Sequence, residues 1–206
     1  MTDPPPLDEF LAASATKPAH PLMTRLEPLL PKPGFALDLG CGAGANARFL
    51  AERGWQVLAI DAAPEAIQCA QQVNDHERIQ WEVGDLRSVD LPEADLVLAF
   101  FSLFFVPPSE FGAAWARVSE AVKPGGQFAG QFLGPNDDWA APHRSTQDAE
   151  SVNTLLAGWD VLFCDEVMRE GKDVTGRPKR WHVFHVIARK PLERCDTDDS
   201  EPSPAE

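Results

Sequence analysis

The stretch Ala36-Leu37-Asp38-Leu39-Gly40-Cys41-Gly42-Ala43-Gly44-Ala45-Asn46 decides the fold. An apolar run stops at a glycine-rich turn, and helix-forming residues follow. Glycine admits backbone angles closed to other residues and lets a ligand approach the main chain. A strand that ends in such a turn and feeds a helix offers N–H groups to a polar or anionic ligand. That is the entrance to a nucleotide-type cofactor site in a doubly wound α/β sheet.

Outward from this turn, apolar strands alternate with helices. Phe35–Leu39 reads as a short buried strand, Ala45–Arg53 as a helix closed by Gly54, and Val57–Ile60 as a strand ending at Asp61. Pro64 opens a helix to about residue 73, and Ile79–Val83 alternates before Gly84-Asp85. Asp95–Phe101 is almost wholly apolar, and the helix from Ser109 to Val122 carries Phe111, Trp115 and Val118 on one side. Lys123-Pro124-Gly125-Gly126 is a turn before a strand over Gln127–Leu133. This order predicts a parallel sheet with helices on both faces. Gln147–Leu156 reads as a helix. Asp160–Glu170 and Trp181–Lys190 then read as two strands joined by a polar loop, Gly171–Arg180. Consecutive strands pair antiparallel. The expected fold is therefore an α/β, Rossmann-like, doubly wound seven-stranded sheet, mostly parallel, with a C-terminal antiparallel hairpin.

Upstream, Leu7–Ala13 and Pro21–Leu30 read as short helices, the second with Leu22, Leu26, Leu29 and Leu30 on one face. The expected organisation is a disordered 1–6 and a single domain over 7–191. Within that domain, 7–33 are N-terminal helices, 34–133 the cofactor-binding core, and 134–191 the substrate-side connection and hairpin. An acidic disordered tail is expected over 192–206.

The chain has 206 residues, 44% of them hydrophobic, which suits one globular domain. Its net charge of -14 argues against nucleic acid and anionic membranes as partners. No apolar run approaches the roughly 18 residues that cross a bilayer. Residues 1–6 lack the basic and apolar regions of a secretory signal. Cys41, Cys69, Cys164 and Cys195 are scattered, as expected of free thiols in a reducing cytoplasm, with no metal site.

The Gly40–Ala45 turn also fits the dinucleotide pattern, which alone is weak. Asp38 lies inside the apolar strand, where an unpaired carboxylate is costly. It suits a ligand carrying ammonium and sulfonium charge better than one carrying pyrophosphate. Asp61 ends the second strand, where a carboxylate can accept from both ribose hydroxyls of either cofactor type. Asp85 ends the third, where an acceptor can meet an adenine amino group.

With these segments in order, LDLGCGAGANA (37–47), VLAID (57–61), VGDL (83–86), ADLVLAFFSL (94–103) and VKPGG (122–126), the chain resembles the class I S-adenosylmethionine-dependent methyltransferases. Its small size, its C-terminal hairpin and Lys179–Phe184 are most similar to the tellurite-resistance type. The resemblance implies S-adenosyl-L-methionine as cofactor. It places Asp38, Gly40, Cys41, Gly42 and Gly44 around the methionine part and Asp61 on the ribose. Ala62 would lie near the adenine, with Gly84, Asp85 and Leu86 on its other side. Phe100, Phe101 and Ser102 would lie close to the sulfonium.

A sulfonium-bound methyl is already a good electrophile, so positioning a nucleophile in line supplies much of the rate. A base is needed only for an acceptor that holds a proton. Phe101-Ser102-Leu103-Phe104 stands where amino-group methyltransferases of adenine carry [DNS]-P-P-[YF], and no Pro-Cys nucleophile is present. A small-molecule acceptor is expected, bound by Phe101, Ser102, Phe104, the 133–145 connection and the N-terminal helices. Trp139, Trp181 and Phe104 are the candidate substrate contacts. His143, Trp139 and Ser102 are the candidate catalytic groups, and Arg177, Lys179 and Arg180 form a basic cluster able to attract an anion. Two alternatives stand: a non-catalytic protein binding S-adenosylmethionine or S-adenosylhomocysteine, and a nicotinamide oxidoreductase. The latter is disfavoured by the absence of tyrosine. Oligomeric state is not readable from the sequence.

Overall fold

A computed structural model describes residues 3–30 and 32–192. Seven strands form one sheet: β1 (Phe35–Leu39), β2 (Gln56–Asp61), β3 (Ile79–Val83), β4 (Ala94–Ala99), β5 (Val122–Leu133), β6 (Asp160–Lys172) and β7 (Pro178–Arg189). Their spatial order is β3-β2-β1-β4-β5-β7-β6. β1 pairs parallel with both β2 and β4, β2 with β3, and β4 with β5. β7 inserts antiparallel between β5 and β6. The helices are α1 (Leu7–Ser14), α2 (Leu22–Leu26), α3 (Ala45–Ala51), α4 (Pro64–Asn74), α5 (Pro108–Ala121) and α6 (Ala149–Leu155).

The strands are apolar on both sides because helices cover both faces. On one face, α5 presents Phe111, Trp115 and Val118 to Leu37, Phe128, Phe132 and Phe184. On the other, Leu22, Leu26, Leu50, Trp55 and Ile67 pack on Ala36, Leu96, Leu98 and Ala129. α6 starts at Asp148, whose carboxylate accepts the Ser151 N–H at 2.8 Å.

Three local readings change. The turn expected over residues 123–126 is a bulge inside β5: Val122 pairs Ala94, and the register resumes at Gln127 opposite Leu96. Lys123 there pairs with Asp95 at 2.9 Å, and Asp95 also accepts the Phe35 N–H. The expected 171–180 loop shrinks to residues 173–177, because β6 and β7 pair as far as Lys172 and Pro178. Past Leu26 the second helix tightens into a 3₁₀ turn over Glu27–Leu29, which leaves Leu29 exposed. The expected disorder over 1–6 is also revised over residues 3–6. Pro5 is buried, and Asp3 pairs with Arg144 at 3.0 Å. The expected acidic tail, apart from its exposed first residue Leu192, lies outside the described residues, as do Met1, Thr2 and Cys195. Cys41, Cys69 and Cys164 form no disulfide. No helix among the described residues is long and apolar enough to cross a membrane.

Two devices fix the site's walls. A strap of residues 4–10 lies over the C-terminal ends of the parallel strands, anchored where Glu9 meets Arg177. The second is a buried ion pair. Lys179 donates to Asp137, with side-chain exposures of 1% and 0%. The ammonium sits between two indoles, 4.2 Å from the Trp139 ring centre and 4.0 Å from that of Trp181. Asp137 also accepts the backbone N–H groups of Trp139 and His182, at 2.9 and 2.8 Å. The Arg177–Lys179–Arg180 cluster is thus neutralised residue by residue, since Arg180 faces Asp138. Removing one partner leaves a buried charge uncompensated, so Lys179→Met should cost about 3–5 kcal/mol in denaturant unfolding. The Asp137→Asn, Lys179→Met pair should cost less than the single change. A single-variant loss under about 1 kcal/mol would contradict this role.

Candidate functional site

A cavity of about 520 Å³ opens at the carboxyl ends of β1, β2 and β4, where the strand order reverses. In open α/β sheets this crevice is the ligand site. Gly40 and Gly42 line it with Asp61, Ala62, Leu86, Phe100, Phe101 and Ser102. Gly40, Gly42 and Gly44 all adopt positive φ, which builds the turn out of β1.

The turn's hydrogen bonding differs from the expectation of free N–H groups. The Gly40 and Cys41 N–H groups both reach the Ile60 carbonyl, at 2.8 and 3.0 Å, and that of Gly44 reaches the Cys41 carbonyl. The Gly42 N–H donates to Asp61 Oδ2 at 2.9 Å. These four donors are already spent within the protein and are not free for a phosphate. What remains unpaired is acidic. Asp38 is buried, one of its oxygens has no partner, and only the Ala47 backbone N–H lowers its pKa. Burial, with the charge of Asp61 second, pushes its pKa up to about 7. Asp61 holds the Ala63 N–H at 3.0 Å through Oδ1. A carboxylate has about four lone-pair positions, so Asp61 keeps acceptors for a ligand. The Ser102 hydroxyl is also buried and unpartnered at the cavity wall. Asp38 does not itself line the cavity, whereas Asp61 and the Ser102 hydroxyl do, and these two fit a ligand with positive charge and hydroxyl groups.

Other expected contacts are redistributed. Gly44 and Gly84 do not line the cavity. A Cβ on Gly44 would lie 2.5 Å from the Trp81 ring, and one on Gly84 2.7 Å from Val89, so both serve close packing. Cys41 is buried beside the turn, where burial pushes its thiol up and keeps it neutral. Asp85 lines the cavity, but Arg87 grips its carboxylate with contacts down to 2.6 Å and holds its pKa below the usual range. An adenine amino group there would compete with Arg87. His143 is exposed and lines no described cavity, because the 140–144 turn faces solvent. Phe104 and Trp139 are buried and line the cavity's apolar end. α1 reaches the site too: Phe10 and Leu7 line it, and Phe10 lies over Gly42.

Trp181 lines a second cavity, of about 530 Å³, between α2, β6 and β7. Phe101 lines both. It is the one non-glycine residue with positive φ among the described residues, at 54°. Its N–H donates to Gln131 Oε1 at 3.1 Å, which holds this unfavourable conformation. His20 packs on Phe100 and Phe101, with ring centres 5.1 and 5.5 Å away. His20 and His185 were missed in the sequence, although Trp181, Val183 and His185 share one face by strand alternation.

Asp38 gives this site a measurable signature. Its carboxyl stays protonated in the folded chain up to about pH 7 but ionises near 3.8 when unfolded. Asp38 therefore costs the fold more stability as pH rises from about 4 to 7, a cost that a neutral isostere at this position removes. In urea unfolding without ligand, Asp38→Asn should exceed the wild type by a margin that grows across this window to about 2–4 kcal/mol. A margin that shrinks with rising pH would contradict the assignment.

Comparisons with known proteins agree with this geometry. Residues 36–126 match the family model described as a methyltransferase domain. Hemagglutinin 1 of Eikenella corrodens is 26% identical over 166 residues, covering 77% of this chain and 55% of that protein. The malonyl-[acyl-carrier protein] O-methyltransferase of Serratia marcescens is 37% identical over 90 residues, covering 44% and 34%. The chain thus spans about half or less of the length of these relatives. TehB from Haemophilus influenzae has the same fold, with a TM-score of 0.74 at 20% identity over 89% of this chain and 66% of that one. The glycine turn, the reversal of strand order beside it and the matched domain together support a class I S-adenosylmethionine-dependent methyltransferase.

Proposed function

We propose that this chain transfers a methyl group from S-adenosylmethionine to a small-molecule acceptor, with catalysis by positioning. The observation that carries the reading is the chemistry of the Gly40–Gly44 turn. The N–H groups of Gly40, Cys41, Gly42 and Gly44 are satisfied internally, while Asp38, buried behind the cavity wall, has an unpartnered oxygen. That arrangement favours a cationic ligand over a pyrophosphate. When bound, the cofactor supplies an electrophilic methyl on a sulfonium. Asp38 and Asp61 would hold its ammonium and ribose, with Ala62 and Leu86 beside the adenine. Phe100, Phe101 and Ser102 form the wall where the reacting centre would lie, and the burial of Phe100 and Ser102 excludes water there.

No histidine lines the first cavity, so its wall supplies no imidazole base. This suits an acceptor that is already anionic, which needs no base. The Serratia relative's name describes methylation of a malonyl group, and a malonyl carboxylate is of that kind.

Two measurements test the reading. Asp61→Ala should raise the dissociation constant of S-adenosylhomocysteine about tenfold or more, since charge-assisted hydrogen bonds are lost. An unchanged constant would count against the site as drawn. Labelled methyl should pass from S-adenosylmethionine to a member of a carboxylate, thiol and amine panel. Tight cofactor binding with no transfer to any of them would favour a non-catalytic binding role.

A further inference from the structure

We infer that the second cavity is the acceptor site and that it takes a small organic carboxylate. Its link to chemistry rests on the methyl-transfer reading, whereas its preference for an anion does not. Three observations converge on it.

The first is charge. Arg25, Arg169 and Lys172 line this cavity, and none pairs with a described carboxylate. Two carboxylates share the wall. Asp173 is engaged by Thr175 and by the Arg177 N–H through one oxygen, and Asp165 is exposed. The wall is net cationic in a chain of net charge -14. Unpaired cations gathered at one concave surface of an acidic protein focus anions there.

The second is the protonation pattern of the two histidines. The Leu22 N–H donates to His20 Nδ1 at 3.1 Å, so the neutral ring carries its proton on Nε2. Gln131 Oε1 is fixed by the Phe101 N–H, which turns the amide nitrogen toward His185 Nδ1 at 3.3 Å. His185 therefore also carries its proton on Nε2. Burial keeps both rings neutral. The pair offers donors to a bound anion and no base, in keeping with an acceptor that arrives deprotonated.

The third is the body of the cavity. Phe101, Phe163 and Trp181 supply aromatic surface, and Arg25 lies over the Phe163 ring at 4.9 Å. An apolar floor under a cationic rim suits an organic carboxylate better than a strongly hydrated inorganic oxyanion. Phe101 is the one residue shared with the cofactor cavity, so the two cavities adjoin at its side chain, which would have to turn aside for acceptor and methyl donor to meet in line.

The test is calorimetric titration of the full chain, without cofactor, using benzoate, its neutral isostere benzamide, and sulfate. Benzoate should bind, benzamide at least about tenfold more weakly, and sulfate should not displace benzoate at equal concentration. Arg25→Gln with Arg169→Gln should raise the benzoate dissociation constant about tenfold or more while leaving that of S-adenosylhomocysteine within about twofold. Both arginines are exposed, so the double variant keeps the fold. Equal binding of benzoate and benzamide, or indifference to the double variant, would overturn the anion site. Sulfate binding in preference to benzoate would overturn the organic carboxylate. Benzoate binding in a chain that fails to bind S-adenosylhomocysteine would support the anion site and sink the methyl-transfer reading instead.

Discussion

The constraint on which the rest depends is the reversal of strand order between β1 and β4. Right-handed crossovers carry the chain outward from β1 to β2 and β3, then back across to β4 and β5. The loops leaving β1 and β4 consequently part in opposite directions and open a crevice. The glycine turn lies on one side of it and Phe100-Phe101-Ser102 on the other. A Cβ at Gly40 would stand 2.3 Å from the Ser102 Cβ, so the two sides approach as closely as a side-chain-free residue allows. The chemistry of the site follows from what this geometry leaves unpaired: an acid beneath the turn and a hydroxyl opposite it.

The same topology explains the second cavity. β7 enters antiparallel between β5 and β6, so its inward alternate residues reach the space beside α2. Gln131 of β5 then joins two regions that are distant in sequence, accepting from the Phe101 main chain and orienting His185. The aromatic box around Lys179 stiffens the other end, because Trp139 belongs to one cavity and Trp181 to the next.

Much of the fold was legible in the sequence because its signals are local. β1 and β3 fall on the expected residues, since apolar runs bounded by glycine or aspartate mark buried strands. The hairpin loop was overread, because Lys179 and Arg180 look solvated until Asp137 and the two tryptophans are brought to them. Within the site, Asp38, Gly40, Gly42 and Asp61 stand out by their spacing alone. Gly44 and Gly84 carry the same spacing, yet packing against Trp81 and Val89 explains them. Asp85 gave no local sign that Arg87 would claim its carboxylate. His20, Arg25, Arg169 and His185 were invisible as a group, since they come from α2 and its approach and from two strands joined only by tertiary pairing.

The central claim is that an acidic, donor-poor crevice selects a sulfonium cofactor over a dinucleotide. Parallel calorimetric titration with S-adenosylmethionine, S-adenosylhomocysteine and NADH tests it most directly. The account predicts micromolar binding of the first two and none of NADH. Binding of NADH alone would contradict it and return the Gly40–Ala45 turn to a dinucleotide role.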